Sequence, residues 1–414
     1  MMSQMSQLNN RIENQPGEVK RMKMQSPVDF GFNLERLSLV TTVIQRYVDD
    51  GKAAGIVTLI ARRGAVVHLE KFGYQNLEEK KSIALDTLFR IYSMTKPITS
   101  MAFMMLYEQG LIRLEDPVHM YIPGFKSTKV LEAGGKLVPP HQDIKIKHLL
   151  AHTAGLSYGD QTDSLIDKLY TNANLEKDNL SNEEVVQRIT DLPLRFHPGE
   201  NWHYSYATDV IGYLVELLSG KSLSEFMKEK IFIPLGMVDT FFRVPETSRH
   251  RFSELYGYTD KKFLDVIDPG IGGDFFDVRR NSGGGGLVST IADYFRFAQC
   301  MLNQGELDGM RLLGPRTVEL MRTNHLPTSM LPIAMEEPWP GFGFGLGFSV
   351  VLDITQADQR GSVGSYGWGG WANTHFWIDP VEEIVGILML QYIPTRTFPI
   401  TNDFRNAVYQ ALVD

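Results

Sequence analysis

The chain of 414 residues has a single cysteine, Cys300, so an internal disulfide is excluded. That cysteine lies in 294–302, whose apolar spacing reads as a helix, and a buried structural thiol is expected there. No apolar run reaches transmembrane length. Residues 1–30 are polar, methionine-rich and broken by Pro16 and Pro27, without the apolar run of a secretory signal. They are expected to form a flexible leader on a cytoplasmic protein that makes no membrane contact. No basic stripe is present, and a net charge of −8 with 22% charged residues describes a mildly acidic protein with no footprint for nucleic acid. No His/Cys/Asp/Glu group has metal-ligand spacing, so neither a metal nor a cofactor is expected. What the chain does have is a hydrophobic content of 43%, enough for one large domain or two intimate ones.

The segment Ser93-Met94-Thr95-Lys96-Pro97 opens a long apolar run that ends at Gly110. Pro97 fits a first helical turn, which starts the predicted helix near Ser93. Residues three apart share a helix face, so Ser93 and Lys96 point the same way. A serine hydroxyl is a weak nucleophile until a neighbour takes its proton, and a lysine of lowered pKa can do so. The helix N-terminus adds free N–H groups where an oxyanion would develop. Ser-x-x-Lys alone also describes a helix cap followed by a surface lysine. The continuous apolar run behind it argues against that simpler reading.

Two further stretches carry chemistry. Trp202-His203-Tyr204-Ser205-Tyr206 follows Pro198-Gly199 and precedes a predicted helix at 209–219. Tyr204 or Tyr206 can serve as general base if a cation such as Lys96 stabilises its phenolate, although either in isolation reads as a packed aromatic. Ser365-Tyr366-Gly367-Trp368-Gly369-Gly370-Trp371 places consecutive glycines in a strand, where a substrate backbone can approach closely and an edge N–H can serve as a second oxyanion donor. A bulge at a sheet edge is the plainer reading of the glycines.

Around these stretches the chain reads as a helix at 34–50, a hairpin of 56–62 and 65–70 about Arg63-Gly64, mainly helices and long loops from 111 to 250, and then strands at 344–351, 362–366, 372–378 and 383–391 before a closing helix at 402–413. The stretch 157–180 reads as a polar surface loop. The fold class is α+β: an antiparallel sheet from N- and C-terminal strands, flanked by helices, with a helical insertion. The expected division is a leader at 1–30, an α/β domain from 31–95 and 251–414, and a mainly helical domain at 96–250.

Together the three stretches resemble the serine β-lactamase and penicillin-binding-protein superfamily, and within it the class C β-lactamase-like esterases, the family VIII carboxylesterases. The resemblance also rests on Leu149-Leu150-Ala151-His152-Thr153-Ala154-Gly155-Leu156, on Pro198-Gly199 and on Pro234-Leu235-Gly236-Met237. It implies a β-lactamase-like fold. Ser93 would be the acylated nucleophile, Lys96 its proton acceptor or the cation that tunes Tyr204, and Tyr204 the base for acylation and deacylation. The N–H groups of Ser93 and Trp371 would form the oxyanion hole. Tyr92, Tyr206, Trp368, Gly369 and Gly370 would line the substrate site. Tyr206 stands where β-lactamases usually carry asparagine, and Trp368-Gly369-Gly370 where they carry Lys-Thr-Gly. That lysine and threonine help hold the carboxylate of a β-lactam, so their absence points to small neutral esters. An acyltransferase, a weak β-lactamase or a non-catalytic ligand binder are the alternatives on the same site.

Gly155-Leu156-Ser157-Tyr158-Gly159 matches the Gly-x-Ser-x-Gly nucleophile elbow but lacks the strand before it and the helix after it, so Ser157 is not expected to be catalytic and His152 is expected to be structural. The glycines 283–286 have no P-loop lysine. The loop 336–343 either lines the acyl pocket or packs on the surface.

Overall fold

The structure, a computed structural model, describes residues 23–159, 164–176, 180–259, 264–267, 275–335 and 337–414. Most of the expected leader, part of the expected loop 157–180 and Glu336 therefore lie outside the described residues.

In chain order, helix α1 (Leu34–Asp49) leads into the strands β1 (Gly55–Arg62), β2 (Ala65–Asn76) and β3 (Lys81–Ser82). Then come the helices α2 (Thr95–Glu108), α3 (Ile146–Leu150), α4 (Leu165–Asn172), α5 (Asn182–Thr190), α6 (Ala207–Ser219), α7 (Leu223–Met227), α8 (Ile291–Leu302) and α9 (Pro315–Arg322). Strands β4 (Phe342–Phe344), β5 (Ser349–Val351), β6 (Tyr366–Gly369), β7 (His375–Asp379) and β8 (Ile384–Leu390) follow, and α10 (Ile400–Tyr409) closes the chain.

These eight strands form one antiparallel sheet in the order β4-β5-β6-β7-β8-β1-β2-β3. The two ends of the chain meet at its centre, where β1 pairs with β8 from Ile56↔Leu390 to Arg62↔Ile384. Every residue of β1 is buried, which requires cover on both faces, and the alternation of strand side chains supplies it. Val57, Leu59, Phe376 and Ile378 join the core that holds α2 and α8, while Ile56, Ile60 and Trp377 join Val40, Ile44, Phe404 and Val408 of α1 and α10. The β-lactamase-like fold with its antiparallel sheet and flanking helices is thus present.

Local differences from the sequence reading have physical causes. The expected strand 344–351 is two strands, because Gly347 at φ 97° turns the chain between them. The expected loop 157–180 contains α4: Ser164 caps it by accepting from the Asp167 N–H, and Ile166, Asp167 and Tyr170 are buried. Among the described residues no helix is long and apolar enough to cross a membrane.

Candidate active site

The site is built where α2 begins. A short strand at Phe89–Arg90 pairs with Val288–Ser289, and the chain then turns through Tyr92–Met94 into α2. Ser93 therefore sits in a tight turn two residues before the helix. The helix proper starts at Thr95, two residues past Ser93, and Tyr92 in the turn before it is held at φ 40°. A non-glycine residue in that region is strained and persists only when its surroundings hold it. Here the Ile91 N–H donates to Leu287 O at 3.1 Å, and the Leu287 N–H donates to Thr95 Oγ1 at 3.1 Å. The Tyr294 hydroxyl donates to Met94 O at 2.9 Å.

Lys96 is 1% exposed. Its Nζ lies 3.2 Å from Ser93 Oγ and donates to Gly284 O at 2.6 Å. It also lies 4.5 Å from the centroid of the Tyr204 ring and 5.3 Å from that of Tyr158. Gly284 belongs to the glycine-rich segment, which thus reaches the site as well as leading towards α8. The Asp209 carboxylate holds that segment by accepting from the Ser282 hydroxyl at 2.6 Å and the Gly284 N–H at 3.2 Å. A Cβ at position 284 would overlap Asp209 Oδ2, so the close approach requires glycine.

Tyr204 is buried, and its hydroxyl accepts from the Trp368 indole N–H at 3.2 Å. The ring of Trp368 also packs on Phe344 at 5.3 Å and on Trp339 at 5.8 Å. Trp339 comes from the 336–343 loop, whose described part therefore reaches the aromatic wall. Trp202 lies 6.4 Å from Tyr204 and 5.5 Å from Phe344. Trp371 and Tyr92 meet edge to face at 5.5 Å. The turn after β6 presses on the turn that holds Ser93: a Cβ on Gly370 would lie 2.5 Å from Ile91 O and closer still to Thr374 Oγ1. That close approach of two protein backbones by itself requires the glycine.

The hydroxyl of Tyr206 donates to Glu176 at 2.7 Å, and Glu176 is paired with Arg280 at 2.5 Å. Its ring packs at a tilt against Tyr158 at 4.4 Å, so Tyr206 supports the Tyr158 ring. Sequence reasoning passed over Tyr158 and Asp209. Tyr158 directly follows Ser157, inside the Gly-x-Ser-x-Gly match. Burial, with Tyr204 and Asp209 nearby, pushes its phenol well above the usual range, so it stays protonated and able to donate.

Ser157 takes no part in this arrangement. It is fully buried and donates to Asp167 Oδ1 at 2.6 Å, and Asp167 is paired with Arg195 at 2.9 Å. His152 packs against Tyr204 at 4.9 Å, within reach of Ser205 Oγ at 3.4 Å. Burial and then the Lys96 charge hold its imidazole well below the ordinary value, so it is neutral. Among the described residues no group of His, Cys, Asp and Glu is placed to hold a metal ion.

A serine hydroxyl, a buried lysine within hydrogen-bonding reach and a tyrosine ring over that lysine thus come together at the start of α2. The Beta-lactamase family model matches residues 40–410, and the chain belongs to that family. An uncharacterised protein of Mycobacterium tuberculosis is 32% identical over 362 residues, covering 85% of this chain and 89% of that one. Esterase EstB of Burkholderia gladioli is 28% identical over 401 residues, covering 91% and 97%. Among solved structures, EstCE1, described as a hydrolase with promiscuous acyltransferase activity, superposes with a TM-score of 0.76 at 28% identity, covering 91% of this chain and 99% of that one. Family and esterase relatives together make the chain a serine hydrolase.

Proposed function

We propose that the protein is a carboxylesterase of the family VIII type that hydrolyses small neutral esters through an acyl-enzyme on Ser93. The observation that carries this reading is the position of Lys96 Nζ, 3.2 Å from Ser93 Oγ, 2.6 Å from Gly284 O and 4.5 Å from the Tyr204 ring centroid. A lysine in that position either takes the serine proton or stabilises a Tyr204 phenolate that takes it. Ser93 Oγ then attacks the ester carbonyl carbon, and the carbonyl π-electron pair moves onto oxygen. The backbone N–H groups of Ser93 and Trp371 receive that oxyanion. Collapse expels the alkoxide, which leaves as the alcohol after taking the proton held at the Tyr204–Lys96 pair. Water repeats the sequence on the acyl-enzyme and releases the acid.

Substrate neutrality follows from the wall of the site. Trp368 stands where the resembling β-lactamases carry a lysine, and Trp202, Tyr92 and Trp371 add apolar surface. Acyl transfer to an alcohol in place of water is a second reading, supported by the similarity to EstCE1. The same machinery serves both acceptors.

The test is hydrolysis of a p-nitrophenyl ester series, with and without a primary alcohol, and of nitrocefin, by the wild type, Ser93→Ala and Tyr204→Phe. Ester turnover is expected in the wild type, with none from Ser93→Ala and about 10²–10⁴-fold less from Tyr204→Phe. Full ester activity in Ser93→Ala would overturn the nucleophile. Nitrocefin turnover as fast as ester turnover would overturn the neutral-ester reading.

A further inference from the structure

Away from Ser93, a cavity of about 250 Å³ lies between the tip of the β1–β2 hairpin, the C-terminal ends of α8 and α9, and the start of β6. Ser93, Lys96 and Tyr204 are not among its lining residues. Its volume corresponds to about eight liquid-water volumes at about 30 Å³ each, room for a molecule of several heavy atoms.

Three wall residues set it apart from a packing defect. Gln299 is 4% exposed and Tyr366 is 2% exposed, yet neither the Gln299 Oε1 atom nor the Tyr366 hydroxyl has a hydrogen-bond partner. Buried side-chain polar atoms are nearly always paired, and two unpaired ones in the wall of one cavity are out of keeping with a purely structural role. Both residues line the cavity, and the Gln299 amide nitrogen donates to Asn303 Oδ1 at 2.8 Å, which leaves the oxygen as the unpaired end of that amide. The third residue is Arg322, the last residue of α9, whose side chain makes no ion pair or hydrogen bond among the described residues. Arg63, at the other side, is occupied by Glu383 at 3.3 Å.

The needs of these groups specify a ligand. The guanidinium of Arg322 matches a carboxylate in its planar, two-pronged geometry. Gln299 Oε1 accepts only, so the ligand must bring a donor. The Tyr366 hydroxyl both donates and accepts. We propose that this cavity is a binding site for a small hydroxy acid, with the carboxylate on Arg322 and a hydroxyl shared between Gln299 and Tyr366. This site is independent of the esterase reading.

The experiment is isothermal titration of the full chain at fixed ionic strength with L-malate, succinate, gluconate and inorganic phosphate. At least one hydroxy acid is expected to bind with a millimolar or tighter Kd, and malate at least tenfold tighter than succinate, which lacks the hydroxyl. Arg322→Gln and Tyr366→Phe are each expected to weaken binding tenfold or more, and Ser93→Ala to leave it unchanged. Tyr366→Phe removes a hydroxyl that has no partner in the fold, so an unchanged Tm in that variant separates lost binding from lost folding. Binding of no hydroxy acid would mean that the cavity holds water only and overturn the site. So would equal affinity for malate and succinate, binding of phosphate alone, or a Kd insensitive to Arg322→Gln and Tyr366→Phe. Loss of binding in Ser93→Ala would place the ligand in the catalytic site and overturn the assignment, whatever the fate of the esterase reading.

Discussion

Replacing Gly370 by alanine tests how the C-terminal strands position Ser93, the proposed nucleophile. The added Cβ would lie 2.5 Å from Ile91 O, against an ordinary carbon–oxygen contact of about 3.3 Å. It would also run into Thr374 Oγ1. A hydroxyl can rotate away, but Ile91 O is backbone, two residues before Ser93, and the Met94 N–H donates to it at 2.9 Å. Relief therefore requires the Ile91–Ser93 turn and the 370–374 turn to separate by about 0.8 Å, to restore that contact distance. Overpacking of this kind costs about 1–3 kcal/mol of stability. A misplacement of about 1 Å at a reacting group is worth about 10²-fold in rate. Gly370→Ala is thus expected to fold with a modestly lowered Tm and to lose about 10²-fold in kcat/KM for a p-nitrophenyl ester. Thr374→Ala in the same chain would recover part of the stability and little of the rate, because Ile91 O remains in the way. A Gly370→Ala enzyme with wild-type kcat/KM would refute the argument, since the turn would then tolerate a displacement that the geometry says Ser93 cannot absorb.

Asp209→Ala removes both hydrogen bonds that hold the 282–284 segment, so Gly284 O is expected to leave Lys96, with kcat/KM falling about 10–100-fold for a displacement of a few tenths of an ångström. Asp209→Asn is expected to be much milder, because both donors go to one oxygen that the amide retains; equal losses in the two variants would mean that the charge, not the positioning, matters. Ser157→Ala is expected to keep ester turnover within a factor of about two while losing about 1–3 kcal/mol in urea unfolding, the effect of taking a donor from the buried Asp167. Burial lowers His68 to about 4 against an ordinary imidazole value of 6.5, with Glu70 opposing, so the unfolded chain binds its proton first as pH falls. Stability is therefore expected to be full above pH 6.5 and to fall towards pH 4, by about 2 kcal/mol at pH 5 from this group. Urea midpoints for the wild type and His68→Gln over that range check it; a pH dependence identical in the two would remove His68 from the account.

What could be read before the structure was whatever is written in neighbouring residues. The hairpin about Arg63-Gly64 is visible because turn chemistry and strand alternation are local, and so is the Ser93–Lys96 pair, three residues apart in a helical geometry. The meeting of β1 with β8 was legible only as an inference from two sets of strand signals far apart in the chain. Tyr158 was missed because its neighbours in sequence, Ser157 and Gly159, advertise a different motif, and only the fold sets its ring 5.3 Å from Lys96 Nζ. Asp209 reads as an acidic residue in the first turn of α6, a common helix feature, and nothing local says that its oxygens face residues 282 and 284. Gly370 was legible as special, but not the approach of Ile91 O to it, because that backbone lies far away in the sequence.

The Trp368–Tyr204 contact bears most directly on the proposed choice of substrate. A lysine on that strand would place a second full charge beside the Tyr204 hydroxyl. It would favour a phenolate strongly and attract an anionic substrate. An indole N–H at 3.2 Å still donates to the Tyr204 oxygen, but carries no net charge. Lys96, over the face of the Tyr204 ring, is then the principal cation for any phenolate that forms, and it is shared with Ser93 and Gly284 O. Trp368→Lys restores the charge. It is expected to raise kcat/KM for an anionic ester relative to its neutral counterpart and to move the acid limb of the pH–rate profile to lower pH, as a stabilised phenolate requires. A variant that folds, and whose pH profile and charge preference both match the wild type, would show that the strand residue touches neither the base nor the substrate and would remove the basis for assigning neutral esters.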